Sequence, residues 1–147
     1  MRSAMWKRFG SCQKGAAAVE FAIVLPLLVL LMGGIIEFGI ILYDQQVINN
    51  ATREGARAAV NPLPSKLTAD AIQQIVVDYC KENNKYLTIT FGTNTFDKTK
   101  VDVVGAGGNF GSDVTVTATY SYQFLLPKII KLGNTLLLTS TTTMKMM

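Results

Sequence analysis

Residues 14–43 read KGAAAVEFAIVLPLLVLLMGGIIEFGIILY, and the reading of this stretch decides the fold. From Phe21 to Ile36 there is no charge, and Glu37 alone interrupts the run before it continues to Tyr43. About 20 apolar residues in a helix match a bilayer core of roughly 30 Å. Ala16–Tyr43 therefore reads as a membrane-spanning helix, and a fully buried core helix is the competing reading. What that reading must explain is Glu20, a carboxylate at the front of the apolar run.

Working outward, the formal charge of +4 has to be divided along the chain. The first fifteen residues hold Arg2, Lys7, Arg8 and Lys14 with no acid. From Ala16 to Val60, Arg53 and Arg57 stand against Glu20, Glu37, Asp44 and Glu54. The remainder sets eight lysines against six acids, so everything after Gly15 sums to zero. The basic balance belongs to the N-terminal tail, which argues against a nucleic-acid footprint. By the positive-inside rule the same four cations hold the N-terminus in the cytoplasm, and the rest of the chain lies outside. Cys12 and Cys80 then fall on opposite sides of the membrane and cannot pair. Cys80 reads as a buried thiol, with an intermolecular disulfide as the alternative.

The helical pattern continues past the apolar run. Residues 44–60, DQQVINNATREGARAAV, put Val47, Ala51 and Ala58 on one face, and Asn61-Pro62-Leu63-Pro64 ends the helix. A helix from Ala16 to Val60 is about 67 Å long, twice a bilayer core, so its second half must find packing outside. The next segment, KLTADAIQQIVVDYCKENN, repeats Ala71, Ile72, Ile75, Val76, Tyr79 and Cys80 at helical spacing. Ser65 or Thr68 can cap its start, Asp70 suits its first turn, and Asn83-Asn84 suit its end.

From Tyr86 the period changes to two, with Leu87, Ile89 and Phe91 alternating with Thr88 and Thr90. Thr99–Val104 is a shorter run of the same kind, Asp113–Phe124 alternates throughout, and Leu136–Met144 reads as a last, edge strand. YSYQFLLPKIIKL, residues 120–132, reads as a strand turning into a short helix. The expected fold is α+β: a long N-terminal transmembrane helix, a second amphipathic helix, and an antiparallel sheet of about four strands with one wet face. Residues 1–15 form a basic leader, 16–60 the long helix with 16–43 in the membrane, and 61–147 an extracytoplasmic head.

Candidate chemistry is sparse. The chain has no histidine, the usual general base and metal ligand. One outer cysteine and no clustered carboxylates leave no zinc site, and no cofactor is expected. GAGGNFG, residues 105–111, invites a phosphate-loop reading but is followed by SDVTVT, a strand where a helix is required. A hairpin loop is the better reading, and the chain is expected not to be an enzyme.

Glu20 admits a plain reading, an acid tolerated near the membrane boundary. Ionisable residues within transmembrane segments nonetheless cost roughly 2.5–3.5 kcal/mol at the centre and are functional by default. A cut between Gly15 and Ala16 would create an α-amine four residues before Glu20. A charge pair at about 4 Å contributes about 4 kcal/mol at an effective dielectric of 20, enough to offset burial. The positive end of the helix favours a carboxylate at the same place. The amine is either the subunit's own or a neighbour's.

The basic leader ending in Lys14-Gly15, a small residue, then Glu20-Phe21 and an apolar helix resembles the prepilin signature of type IV pilins. GAAAVEFAIVLP, GGIIEFG and NNATREGARAAV in that order resemble the TadE-like minor pilins, or pseudopilins, of tight-adherence (Tad/Flp) systems. The resemblance covers Lys14–Val60 and is diffuse afterwards. Major Flp pilins typically carry tyrosine after the glutamate and consist of little more than one helix. Phe21 and the large outer domain depart from that pattern.

The resemblance implies a processing site at Gly15 and Ala16, cut by a membrane-embedded prepilin peptidase, with Glu20 and Phe21 setting subunit register. It implies other pilin or pseudopilin subunits and the pilus assembly platform as partners, at the inner (cytoplasmic) membrane and in membrane lipid. Pro26 removes one helical hydrogen bond, while Gly33, Gly34 and Gly39 allow close helix approach. Glu37, Arg53, Glu54 and Arg57 are candidates for polar contacts between subunits, against solvated or structural roles for the same side chains. The alternative of a different class is a permanently anchored extracytoplasmic binding domain that is neither trimmed nor polymerised. A cleavable secretory signal is disfavoured because no A-x-A site closely follows the apolar run.

Overall fold

The computed structural model of the chain describes residues 13–61, 66–81, 96–124 and 135–146. Two helices and three strands make an α+β fold: α1 (Gln13–Val60), α2 (Ala69–Lys81), β1 (Val101–Val104), β2 (Asp113–Gln123) and β3 (Thr135–Lys145). The chain divides into two compact units, residues 1–35 and 36–147.

In the first unit α1 is helical from Gln13 and runs through Pro26 without a break. Large apolar side chains cover its surface, with Ile23 72%, Leu27 69% and Ile35 65% exposed. An 18-residue window of this helix has a mean hydropathy of 2.5 and no buried residue, so it is long and apolar enough to cross a membrane once.

In the second unit the rest of α1 buries one stripe: Glu37, Asp44, Val47, Ile48, Ala51, Thr52, Gly55, Ala56 and Ala59. Steps of three and four residues keep these on one face. The stripe meets the inner face of the sheet, where Val114, Val116, Ala118, Tyr120 and Tyr122 of β2 are buried with Leu138 and Ser140 of β3. Helix α2 adds Ile72, Val76, Val77 and Cys80 to the same core. Thr68 caps it, accepting from the Ala71 N–H at 3.3 Å. Ser65, Asn83-Asn84 and the prolines after α1 lie outside the described residues.

The sheet is antiparallel in the order β1-β2-β3. Strands β2 and β3 pair over eleven positions, from Asp113↔Lys145 to Gln123↔Thr135. Alternation along β2 is what the sequence predicts, and the outer face is wet. There the hydroxyls of Thr115 and Thr143 lie 3.0 Å apart and those of Thr117 and Thr141 3.1 Å apart. Three strands are described against about four expected; the run at Leu87, Ile89 and Phe91 lies outside the described residues. Strand β1 also starts later than Thr99, because Asp97 Oδ1 accepts from the Thr99 N–H at 3.0 Å and turns Lys98–Lys100 into a 3-10 helix. After Gln123 the expected strand-to-helix segment runs out of the described residues.

The glycine-rich stretch joins β1 to β2 as a hairpin loop, and no helix follows it. Gly105 sits at φ 83, where a Cβ would stand 2.2 Å from the Asp113 carbonyl oxygen, so only glycine fits. Lys66 Nζ donates to the carbonyls of Gly107 and Gly108 in this loop.

Candidate functional site

Gly15, Ala16, Glu20 and Phe21 occupy successive turns of α1, and all four are exposed. Glu20 lies four residues after Ala16, so the two share a face one turn apart. Pro26 and Gly34 are exposed and Gly33 is half-buried. A Cβ on Gly34 or on Gly39 would meet nothing within 4 Å. These glycines present bare backbone with open space around it.

Glu37 is placed differently from the other helix positions. It is 7% exposed, and its Oε1 accepts from the Tyr122 hydroxyl at 2.7 Å. Its contact is therefore made with β2 of its own chain. Seven residues on, Asp44 is fully buried on the same face, and neither carboxylate oxygen has a hydrogen-bond partner among the described residues. Burial pushes the Asp44 carboxyl up to about 6. Tyr120, two residues before Tyr122 on the inward side of β2, is pushed up to about 12, by burial first and by the Asp44 charge second. Tyr122 is raised further, by burial and then by its bond to Glu37.

Two acids seven apart on α1 thus face two tyrosines two apart on β2. A step of seven residues is about 10.5 Å on a helix and a step of two about 6.8 Å on a strand, so the acids and the tyrosines are unequally spaced. Glu37 takes the Tyr122 hydroxyl; Asp44 accepts no hydrogen bond among the described residues. The spacing of Glu37 and Asp44 is visible in the sequence, but their partners are not, because the pairing depends on how α1 lies on β2.

Farther along α1, Arg53, Glu54 and Arg57 are exposed. Arg57 and Glu54 approach to 3.9 Å across one turn, a solvated pair of little energetic weight. Gly55, between them in sequence, is buried, and a Cβ there would lie 2.5 Å from Val76 Cγ2. It is the position at which α2 crosses close to α1. Cys80 is 2% exposed and its thiol is pushed up to about 12 by burial, which suits an inert core residue. Among the described residues no group of three or more His, Cys, Asp or Glu could hold a metal ion.

Residues 15–57 match the family described as TadE-like protein. That span starts at the glycine before the apolar run and ends at Arg57, so it covers the exposed apolar helix and most of the stripe that enters the core. No curated protein and no solved structure shows significant similarity to the chain.

Proposed function

We propose that the chain is a minor pilin subunit of a Tad/Flp-type pilus, used in surface adherence or secretion. It enters the inner membrane with its N-terminus in the cytoplasm, is cut after Gly15 by prepilin peptidase, and joins other pilin or pseudopilin subunits at the assembly platform. The observation that carries this reading is the TadE-like match over residues 15–57, laid on a helix whose apolar side chains stay exposed up to Ile36.

The burial of Glu37 supports a lipid-facing run of Ala16–Ile36. At about 1.5 Å per residue that run is about 31 Å, the thickness of a bilayer core. One face of the stretch Glu37–Tyr43, also apolar in sequence, then belongs to the base of the head, while Phe38, Leu42 and Tyr43 stay exposed. Hydrolysis of the Gly15–Ala16 peptide bond leaves an ammonium one turn before Glu20. On this reading the Glu20 carboxylate takes up that ammonium, from its own chain or a neighbour's, and fixes the subunit's position among other helices.

Replacement of Glu20 tests the role directly. Glu20→Ala should still insert into the membrane, since it removes a charge, yet should abolish pilus assembly in cells whose wild-type copy is deleted. Normal piliation with this variant would contradict the register role and favour an anchored, non-polymerising domain.

A further inference from the structure

Among the described residues the sheet ends on β3, and one side of that strand is open. Three sets of bonds show which way its backbone faces. Met146 exchanges backbone bonds with Gly111 and Ser112 on the β2 side, at 3.0 and 2.8 Å. The Thr139 carbonyl instead accepts from Gln45 Nε2 at 3.1 Å, from the helix side. The close hydroxyl pairs at Thr141 and Thr143 fit the narrow, non-hydrogen-bonded positions of the β2–β3 ladder. In an antiparallel pair these alternate, so Thr139, Thr141, Thr143 and Lys145 turn their N–H and C=O groups away from β2. Among the described residues, Gln45 takes one carbonyl of this edge, and the groups of Thr141, Thr143 and Lys145 have no partner on that side.

Beside that open stretch lies a shallow groove of about 360 Å³, lined by Asn49, Arg53 and Ser140 to Thr143. Its floor is fixed, because the Thr52 hydroxyl lies 2.9 Å from that of Ser140 and 3.0 Å from that of Thr142. Its wall carries the exposed guanidinium of Arg53, which makes no ion pair among the described residues; Glu54 is paired with Arg57 instead. Lys145, also exposed, stands at the end of the same edge. Lys145 stands opposite Asp113 across the β2–β3 ladder, so among the described residues the open main-chain groups lie beside one cation without an ion pair, Arg53.

The geometry points to a β-augmentation site: the Thr141–Lys145 edge takes an extended segment of a partner polypeptide whose inward-facing side chain is a carboxylate bound by Arg53. Main-chain bonds to Thr141 and Thr143 hold the segment, and Asn49 and Arg53 select its acid. A second copy of β3 is a poor occupant, since its sequence, TLLLTSTTTMK, brings no carboxylate to Arg53. The site uses the head alone and stands whether or not the chain is trimmed at Gly15.

The test uses the full chain in detergent micelles and a capped peptide, Thr-Val-Asp-Val-Thr, with its Asn counterpart. The Asp peptide should bind saturably at millimolar concentration and shift the amide resonances of Thr141, Thr143 and Lys145. The Asn peptide, and the Asp peptide against Arg53→Glu, should each bind about tenfold more weakly, as loss of a charge-assisted hydrogen bond implies. Thr141→Pro, which removes an outward N–H and leaves the β2 ladder intact, should abolish the shifts. Absence of shifts at these amides, or equal binding of the Asp and Asn peptides, would overturn the assignment. So would concentration-dependent self-association through β3 without peptide, which would make a second copy the occupant.

Discussion

Asp44 is the residue whose environment suits it least. Its carboxyl is buried with neither oxygen hydrogen-bonded among the described residues, whereas Glu37, two turns earlier, has the Tyr122 hydroxyl at 2.7 Å. The consequence is a pH dependence with a definite sign. An unfolded aspartate ionises near pH 4, and in the folded head ionisation is delayed to about 6. The folded state therefore binds the extra proton between those values, and Asp44's contribution to stability falls as pH rises from about 4 to about 6. Raising a carboxyl's pKa by about two corresponds to up to about 3 kcal/mol, all of it lost by pH 7. Asp44→Asn should raise the head's thermal midpoint at pH 7 and change it little at about pH 3.5, followed by near-ultraviolet circular dichroism of the tyrosines. An equal effect at both values would mean that Asp44 is not held protonated in the fold.

At the scale of elements, the close crossing of α1 and α2 is set by one glycine. A Cβ on Gly55 would lie 2.5 Å from Val76 Cγ2 and 3.6 Å from Ile72 Cγ2, and both side chains are fully buried. Gly55→Val should destabilise the head by roughly 1–3 kcal/mol, the usual cost of overpacking a filled core. Gly39→Ala, with open space around the new methyl, should leave the isolated subunit's thermal midpoint within about a degree or raise it, since alanine is the better helix former. The reverse order of effects in thermal unfolding would place the tight crossing elsewhere. Elements whose cause is local are legible in the sequence: the apolar run specifies α1, the i, i+3, i+4 pattern α2, and strict alternation β2 with Tyr120 and Tyr122 inward. Gly55 is not legible in this way, because a buried glycine in a helix has no signature until its neighbour is known. The late start of β1 is hidden for a related reason, since Asp97 diverts the Thr99 N–H into a turn that a period-two pattern does not reveal.

For the molecule as a whole, α1 changes character along its length. Through Ile36 its large side chains are exposed and apolar; from Glu37 its buried stripe is part of the head's core. Hydropathy alone puts this change near Tyr43, because Ile40 and Ile41, which pack against the head's core, look as suited to lipid as to protein. What distinguishes them is the acid-bearing face at Glu37 and Asp44, whose tyrosine neighbours come from residues more than seventy positions later. The TadE-like match over 15–57 falls on the stretch where helix and function are most readable. The head beyond it is readable as a fold and silent as to its partner. If the chain before Ala16 is a leader, its removal provides Glu20 with an ammonium, and the assembly role rests on that step. Intact mass of the membrane-extracted protein, from cells with and without prepilin peptidase, tests this most directly. Loss of residues 1–15 only where the peptidase is present is the predicted result; a full-length chain in both samples would contradict it.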